Sequence, residues 1–562
     1  MAHDPRSVAD AYLGLLADRG VEYLFGNAGT DFGPIIDAYA RRSEAGEPSP
    51  APVPVTHEVT AMAMAHGYGM VSGSTPAVMV HTVAGTANAV GGLINANRAR
   101  QALYVTAGRT PLTEGDRLGA RDMHIHWSQE SFDQGAMVRE WVKWDYELRA
   151  GADLVAVVDR AFAMAESDPP GPVYLTLPRE VLAAEHDGGA VTPARTAIGR
   201  SVPEPRIIAN AARILREAER PVLITRSAGR DRAAPPLVAR LAEMVGAPVY
   251  DPYPTHSNLD FDHPLRIVEA ADRAVADADV VVVVESDVPW TPRRGRPGVS
   301  TTVIGIGSDP LHGGYPVRSF EVDVNLTGAI APTLAVLVAE LEQGGPIEAS
   351  PVRRAEWSEN AARSREGARE RARALAGARP LAKPFVSQVL DGLLPDDAIL
   401  VDELGVDVAQ MSLQGPGRFY GVSQAGVLGW SLGASLGAKL AAPDRTVVCV
   451  VGDGSYLFGV PTTAHWASRR YGLPVLYVVW NNATWGAVER ATRMVYPEGH
   501  AARSGEFAFA GIGPSIDHEL VCQAAGGYGE RVDDPSEVGP AIERGLAEVA
   551  AGRQALLNVI AH

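Results

Sequence analysis

The chain has 562 residues, is 46% hydrophobic and 21% charged, and carries a formal net charge of −17. That length asks for three or four domains, and the acidity argues against nucleic acid or an anionic membrane as a partner. Only Cys449 and Cys522 are present, so no disulfide framework is implied; with no apolar leader and no membrane-length apolar run, the expectation is a cytoplasmic protein.

From Ser7 to about Pro178 the apolar runs EYLFG, PVPVTH, PAVMVHT, ALYVTAG and PVYLTLP alternate with helix-length stretches. Such alternation predicts a parallel sheet covered by helices, here a first domain over 1–188. In LFGNAGTDFGPIIDAYA a strand turns into a helix with Thr30 at the tip. In PVPVTHEVTAMAMAHGYGMVSG a short strand precedes a helix opening at Glu58, a residue that also suits the helix dipole. VHTVAGTANAVGGLINA puts His81 at a strand end, where a histidine often serves structure alone. RDMHIHWSQESFDQ gathers His124, His126, Trp127, Gln129 and Glu130, the density of a binding loop. Its His-x-His spacing finds no third metal ligand nearby. The Gly-, Pro- and Thr-rich residues 188–205 read as a linker.

A second unit over 200–345 contains RPVLIT, APVYD and ADVVVVVES. It lacks a GxGxxG fingerprint, so a flavin such as FAD is not supported, while an adenine nucleotide stays open. Its loop YDPYPTHSNLDFDHPLRI carries His256 and His263. After Gly344-Gly345-Pro346 a charged helix leads to a third unit over 380–562, with strand candidates AILVDE, TVVCVVGD, PVLYVVWNN and ALLNVIA. There VDELGVDVAQM sets Gly405 at a strand-to-helix turn. SQAGVLGWSLGASLGAKL, with Gly426 and Leu428, reads on its residues as a small-residue helix packed close to a sheet.

The segment TVVCVVGDGSYLFGVPTTAHWASRRYGLPVLYVVWNN is the most informative. It delivers the Asp453 carboxylate and the Asn482 carboxamide to neighbouring strand ends, where a hard divalent cation takes oxygen ligands. The flanking glycines leave backbone N–H groups for phosphate oxygens. Either half alone is a common turn.

Together the halves resemble the thiamine diphosphate motif, GDG followed after roughly two dozen residues by NN. The segment from Glu58, with Ala61, Ala65, Gly67, Tyr68 and Gly73, is similar to the family's cofactor-activating helix. The whole chain resembles the decarboxylase group that includes acetolactate synthase, benzoylformate decarboxylase and pyruvate decarboxylase. The resemblance implies an α/β fold of three doubly wound parallel-sheet domains, binding pyrimidine first and diphosphate last with a middle domain between. It also implies a homodimer or homotetramer, in which Glu58 of one subunit serves the cofactor held by Asp453 of the partner subunit.

Residue by residue, it implies magnesium on Asp453, Asn482 and the Thr484 carbonyl, and diphosphate on the N–H groups of Gly454, Ser455 and Trp485, with Gly405 nearby. Leu428 would bend the cofactor and the Gly426 carbonyl would accept from its amine. Thr30 stands where benzoylformate decarboxylase carries a serine. His81 in HTVAGTAN is closer to that enzyme than to the TSGPGATN of acetolactate synthases, which implies a proton shuttle or a carboxylate binder. His263-Pro264 matches a His-Pro near the family's active-site mouth, with His256 the alternative. Val488 occupies the position of a pyruvate decarboxylase glutamate, and Glu489 should point elsewhere on the helix. Residues Arg490 to Phe509 are read as a closing lid.

The implied function is magnesium- and thiamine diphosphate-dependent decarboxylation of a small 2-oxo acid, releasing an aldehyde or joining it to a second carbonyl. The alternatives are acetolactate synthase-like carboligation, or a carbon–carbon lyase acting on a 2-hydroxyacyl-CoA or diketone. From other classes come a Rossmann nucleotide-binding protein, opposed by the missing fingerprint, and a non-catalytic relative, opposed by joint retention of Glu58, Asp453 and Asn482.

Overall fold

The computed structural model describes residues 6–186, 198–251, 253–268 and 271–561; the expected linker lies outside them as far as residue 197. Three six-stranded sheets follow one another along the chain, and every strand pair in them is parallel. The first holds β1 (Tyr23–Gly26), β2 (Ala51–Pro54), β3 (Ala77–Val80), β4 (Leu103–Arg109), β5 (Asp145–Glu147) and β6 (Pro172–Pro178). The second holds β7 (Pro221–Thr225), β8 (Val249–Tyr250), β9 (Arg266–Ile267), β10 (Val280–Val284), β11 (Thr302–Gly307) and β12 (Val324–Thr327). The third holds β13 (Ile399–Glu403), β14 (Phe419–Gly421), β15 (Val447–Gly452), β16 (Leu476–Asn481), β17 (Tyr528–Val532) and β18 (Ala555–Ile560).

Central strands such as β7, β10 and β16 are buried on both faces, which is why they read as continuous apolar runs. The orders β2-β1-β3-β4-β6-β5 and β14-β13-β15-β16-β18-β17 are the same pattern. The outer domains therefore share one topology, while the middle sheet, β12-β11-β10-β7-β8-β9, winds outward from a central pair. No helix among the described residues is long and apolar enough to cross a membrane.

The outer domains pack through the helices Glu58–Ser72 and Trp430–Ala441, and one apolar cluster runs from Phe25 and Met64 to Leu436 and Tyr477. The backbones touch: a Cβ on Gly67 would lie 2.0 Å from the Ala434 carbonyl oxygen, and one on Gly437 1.9 Å from that of Met64. Neither oxygen can yield without moving a helix. Gly67→Ala is therefore expected to destabilise the chain by about 3 kcal/mol, read as a lowered urea midpoint; an unchanged midpoint would refute the tight crossing.

Candidate active site

Parallel pairing of Gly452 with Trp480 brings the ends of β15 and β16 level. Asp453 opens the helix Asp453–Phe458 and is 3% exposed. Its Oδ1 accepts the Gly454 N–H at 2.8 Å and its Oδ2 the Ala483 N–H at 2.7 Å, so one carboxylate ties the two strand ends together. Burial pushes this carboxyl above its ordinary range, against the opposing pull of those N–H groups.

The two asparagines have separate work. Asn481 is buried, donating to Asn558 Oδ1 at 2.9 Å and accepting from the Ser515 hydroxyl at 2.9 Å. Asn482 is partly open, and among the described residues its Oδ1 accepts only the Thr484 N–H, at 3.2 Å. Between them and Thr484, Ala483 holds φ +53°. Carboxylate, carboxamide and the Thr484 carbonyl form an all-oxygen donor set that fits Mg2+.

Three expected diphosphate donors are already engaged, the Gly454 N–H on Asp453 being the first. The Trp485 N–H is donated to the Ala510 carbonyl at 2.6 Å, and the Thr484 hydroxyl joins it at 2.9 Å. Ile512 N–H bonds Ala483 O in return, so the chain just beyond the expected lid is docked on this turn. The Trp485 ring lies against Gly454, where a Cβ would be 2.2 Å away. The Gly405 N–H likewise goes to Asp402 Oδ1 at 2.8 Å, because Leu404 at φ +61° curls the strand end back on itself.

Glu403, beside it, was not singled out from the sequence. Its buried carboxylate accepts from Gly429 N–H at 2.7 Å and Ser431 N–H at 2.8 Å, capping the helix Trp430–Ala441 and positioning the loop that carries Gly426 and Leu428. Its only sequence signal is an acid at the carboxyl end of a strand. Gly426 is left-handed at φ +61°, and Leu428 lines a cavity with Val59, Met62 and His66 of the Glu58 helix.

In the first domain Glu58 is 4% exposed and accepts from Asn27 Nδ2 at 2.9 Å and Asn88 Nδ2 at 3.0 Å, both within its own domain. His81 caps the next helix, and its Nδ1 lies 2.5 Å from Asp31 Oδ1. Its Nε2 lies 3.1 Å from the Gln129 amide nitrogen. The hydrogen bond to Asp31 raises the imidazole pKa most, burial opposes it, and the charge on Glu58 adds to the rise. Close approach is built in: a Cβ on Gly29 would sit 2.1 Å from the His81 ring and one on Gly108 1.6 Å from Asp31.

Thr82, directly after His81, holds φ +35°. A β-branched residue there is strained, and with Leu404 and Ala483 it marks the strand ends where strain gathers. Thr30 is exposed while its neighbour Asp31 is buried, so the turn contributes its second residue to the histidine.

Gln129 is the member of the expected binding loop that reaches His81. Glu130 instead accepts from Arg109 at 2.9 Å and Thr110 at 2.8 Å and pairs with Arg121. His126 is buried and accepts backbone N–H groups, and Trp127 donates to Glu114. His263 is not brought to this group within the chain. Its polar neighbours are Glu243, Asp260 and Asp262, and its carbonyl accepts from Arg365. His256 is buried against Tyr420, where burial pushes it down to about 3. A His-Pro pair fixes a turn but not the domain face it occupies. Glu489 pairs with Arg493 one helical turn on, away from the cofactor turn.

Family models match all three domains: "Thiamine pyrophosphate enzyme, N-terminal TPP binding domain" over residues 6–137, the central domain over 208–337 and the C-terminal TPP binding domain over 403–559. Benzoylformate decarboxylase of Pseudomonas aeruginosa is 28% identical, covering 86% of this chain and 87% of that protein. The acetolactate synthase isozyme 3 large subunit of Escherichia coli is 25% identical, with 98% and 94% covered. Among solved structures, the thiamine diphosphate-dependent 4-hydroxybenzoylformate decarboxylase of Rhodococcus jostii superposes with TM-score 0.79 at 24% identity over 99% of each chain. With three matching domains, in this order, on three sheets of the matching kind, the chain belongs to the thiamine diphosphate-dependent enzymes, in the group of benzoylformate decarboxylase and acetolactate synthase.

Proposed function

We propose that this enzyme is a magnesium- and thiamine diphosphate-dependent 2-oxo acid decarboxylase of the benzoylformate decarboxylase type, able to join its product to a second carbonyl. The observation that carries the reading is the Asp31–His81–Gln129 array beside Glu58, which can hold and move a proton in a partly closed site. When bound, thiamine diphosphate supplies the carbon nucleophile for the ketone and the electron sink as carbon dioxide leaves. Asp453, Asn482 and the Thr484 carbonyl would hold magnesium, and Gly454 and Ser455, in the first turn of a helix, would face the diphosphate.

Asp31 accepts from His81 Nδ1–H, which fixes the ring and leaves Nε2 toward Gln129. When His81 is protonated, a half-turn of the Gln129 amide lets Oε1, which has no partner in the present orientation, accept the Nε2–H. Nε2 is thus the atom that gains and loses the proton: bare, it accepts from the Gln129 amide, and protonated, it donates to it. Glu58, held between two carboxamides of its own domain, is the second group that can take and release a proton. Because among the described residues Glu58 and Asp453 bond only within separate outer domains, the reading includes a homodimer or homotetramer in which Glu58 meets the cofactor on Asp453 of the partner subunit.

The test is carbon dioxide release from 2-oxo acids running from pyruvate to benzoylformate, with cofactor and magnesium added or withheld. Cofactor-dependent release from an aryl or branched acid is expected. No release from any acid, despite tight cofactor binding, would sink the decarboxylase reading and favour a lyase acting on a 2-hydroxyacyl-CoA or diketone.

A further inference from the structure

The middle sheet leaves its crevice at β7 and β10, neighbours from which the chain winds in opposite directions. In sheets of this kind ligands sit beyond the carboxyl ends of the two strands at that point. Here those ends deliver Arg226, directly after β7, and Glu285 and Asp287, just after β10. They line a cavity of about 150 Å3 at the meeting of all three domains, with Arg98, Arg100 and Lys143 supplied by the first domain.

The charges in this cavity are not balanced evenly. Glu285 is held by Arg100 at 2.9 Å and by the Ser308 N–H at 3.1 Å. Asp287 accepts from the Tyr315 hydroxyl at 2.5 Å and from Gln424 Nε2 at 2.7 Å. Lys143 donates to Ser167, and burial brings its pKa down to about 8. Arg226 differs. Its side chain is 13% exposed, its nearest carboxylate oxygen is 4.0 Å away on Asp287, and among the described residues its guanidinium donates no hydrogen bond. Arg98, stacked 4.3 Å from the Tyr315 ring, uses one terminal nitrogen, on Asn97 and Gly314, and keeps its other donors. A buried guanidinium with unused donors is costly unless an anion or water meets it.

We propose that this crevice binds a small, strongly charged anion, a free phosphate or a short dicarboxylate, between Arg226 and Arg98 and apart from the cofactor. The size decides against larger ligands, since sites for drug-sized molecules enclose roughly 300–1,000 Å3. The site also borders the cofactor loop: Asp287 holds Gln424, two residues before Gly426, so an anion drawing on Arg226 acts beside the residue that anchors that loop.

The experiment is calorimetric titration of the full-length enzyme, saturated with thiamine diphosphate and magnesium so that its own phosphate-binding turn is filled. Sodium phosphate, sodium malonate and adenosine monophosphate form separate arms at constant ionic strength set with sodium chloride. Saturable binding of phosphate or malonate is expected, weakened at least about tenfold in Arg226→Gln, as loss of a bidentate charged contact requires. Arg98→Gln, with a smaller loss expected, covers the case in which Arg226→Gln fails to fold. No saturable binding, undiminished binding in the variants, or the nucleotide binding more tightly than phosphate would each overturn the proposal.

Discussion

Glu58→Gln is expected to cut turnover by a factor of about 10²–10⁴, the range by which a positioned acid–base group accelerates a reaction, while the fold and cofactor affinity persist. Glutamine keeps the shape of the side chain but cannot pass a proton. Its new NH2 group faces one of the two carboxamide donors, Asn27 or Asn88, and turning that asparagine amide restores an acceptor. The stability cost is therefore of the order of one net hydrogen bond, about 1 kcal/mol. Turnover on the best 2-oxo acid, cofactor affinity by calorimetry and the thermal midpoint should be measured on the same preparation. A variant keeping more than about a tenth of the activity would remove Glu58 from the proton path. A variant that loses its fold would mean that the carboxylate serves the packing of the helix Glu58–Ser72 on Trp430–Ala441 instead.

What was legible in the sequence was what is local. The runs that became β7, β10, β15 and β16 are uniformly apolar because both faces of a central parallel strand are covered. The edge strands β5, β9 and β17 read as DYE, RI and YGERV, too short or too polar to stand out, since an edge is only half covered. Asp453 and Asn482 could be named because one motif holds both, and Glu58 because a helix signature follows it. Asp31 could not, and Gln129 only as one member of a polar loop, because they reach His81 across 50 and 48 residues through turns whose register no local pattern encodes. The sequence pointed to Thr30, one position from the residue that is buried on the histidine. It offered the N–H groups of Gly405 and Trp485 as donors, but a donor's acceptor, here Asp402 or Ala510, is a tertiary fact.

His81→Ala is expected to lower kcat by about 10²–10⁴, and Asp31→Asn should separate orientation from charge. An asparagine oxygen still accepts from Nδ1–H, so the ring stays in place. What disappears is the largest influence raising the imidazole pKa, leaving burial to pull it down. The sign follows. If His81 works as the protonated donor, kcat falls as pH rises through its raised pKa, and Asp31→Asn moves this alkaline limb to lower pH. The acid limb, set by other groups, stays where it is. Rates for the native enzyme, Asp31→Asn and Asp31→Ala across the accessible pH range check this, because the alanine variant also frees the ring and should lose kcat at every pH. An alkaline limb at the same pH in native enzyme and Asp31→Asn would mean that His81 does not deliver the proton. A shifted acid limb instead would make the imidazole a base, with Asp31 stabilising the charge it gains rather than the charge it gives up.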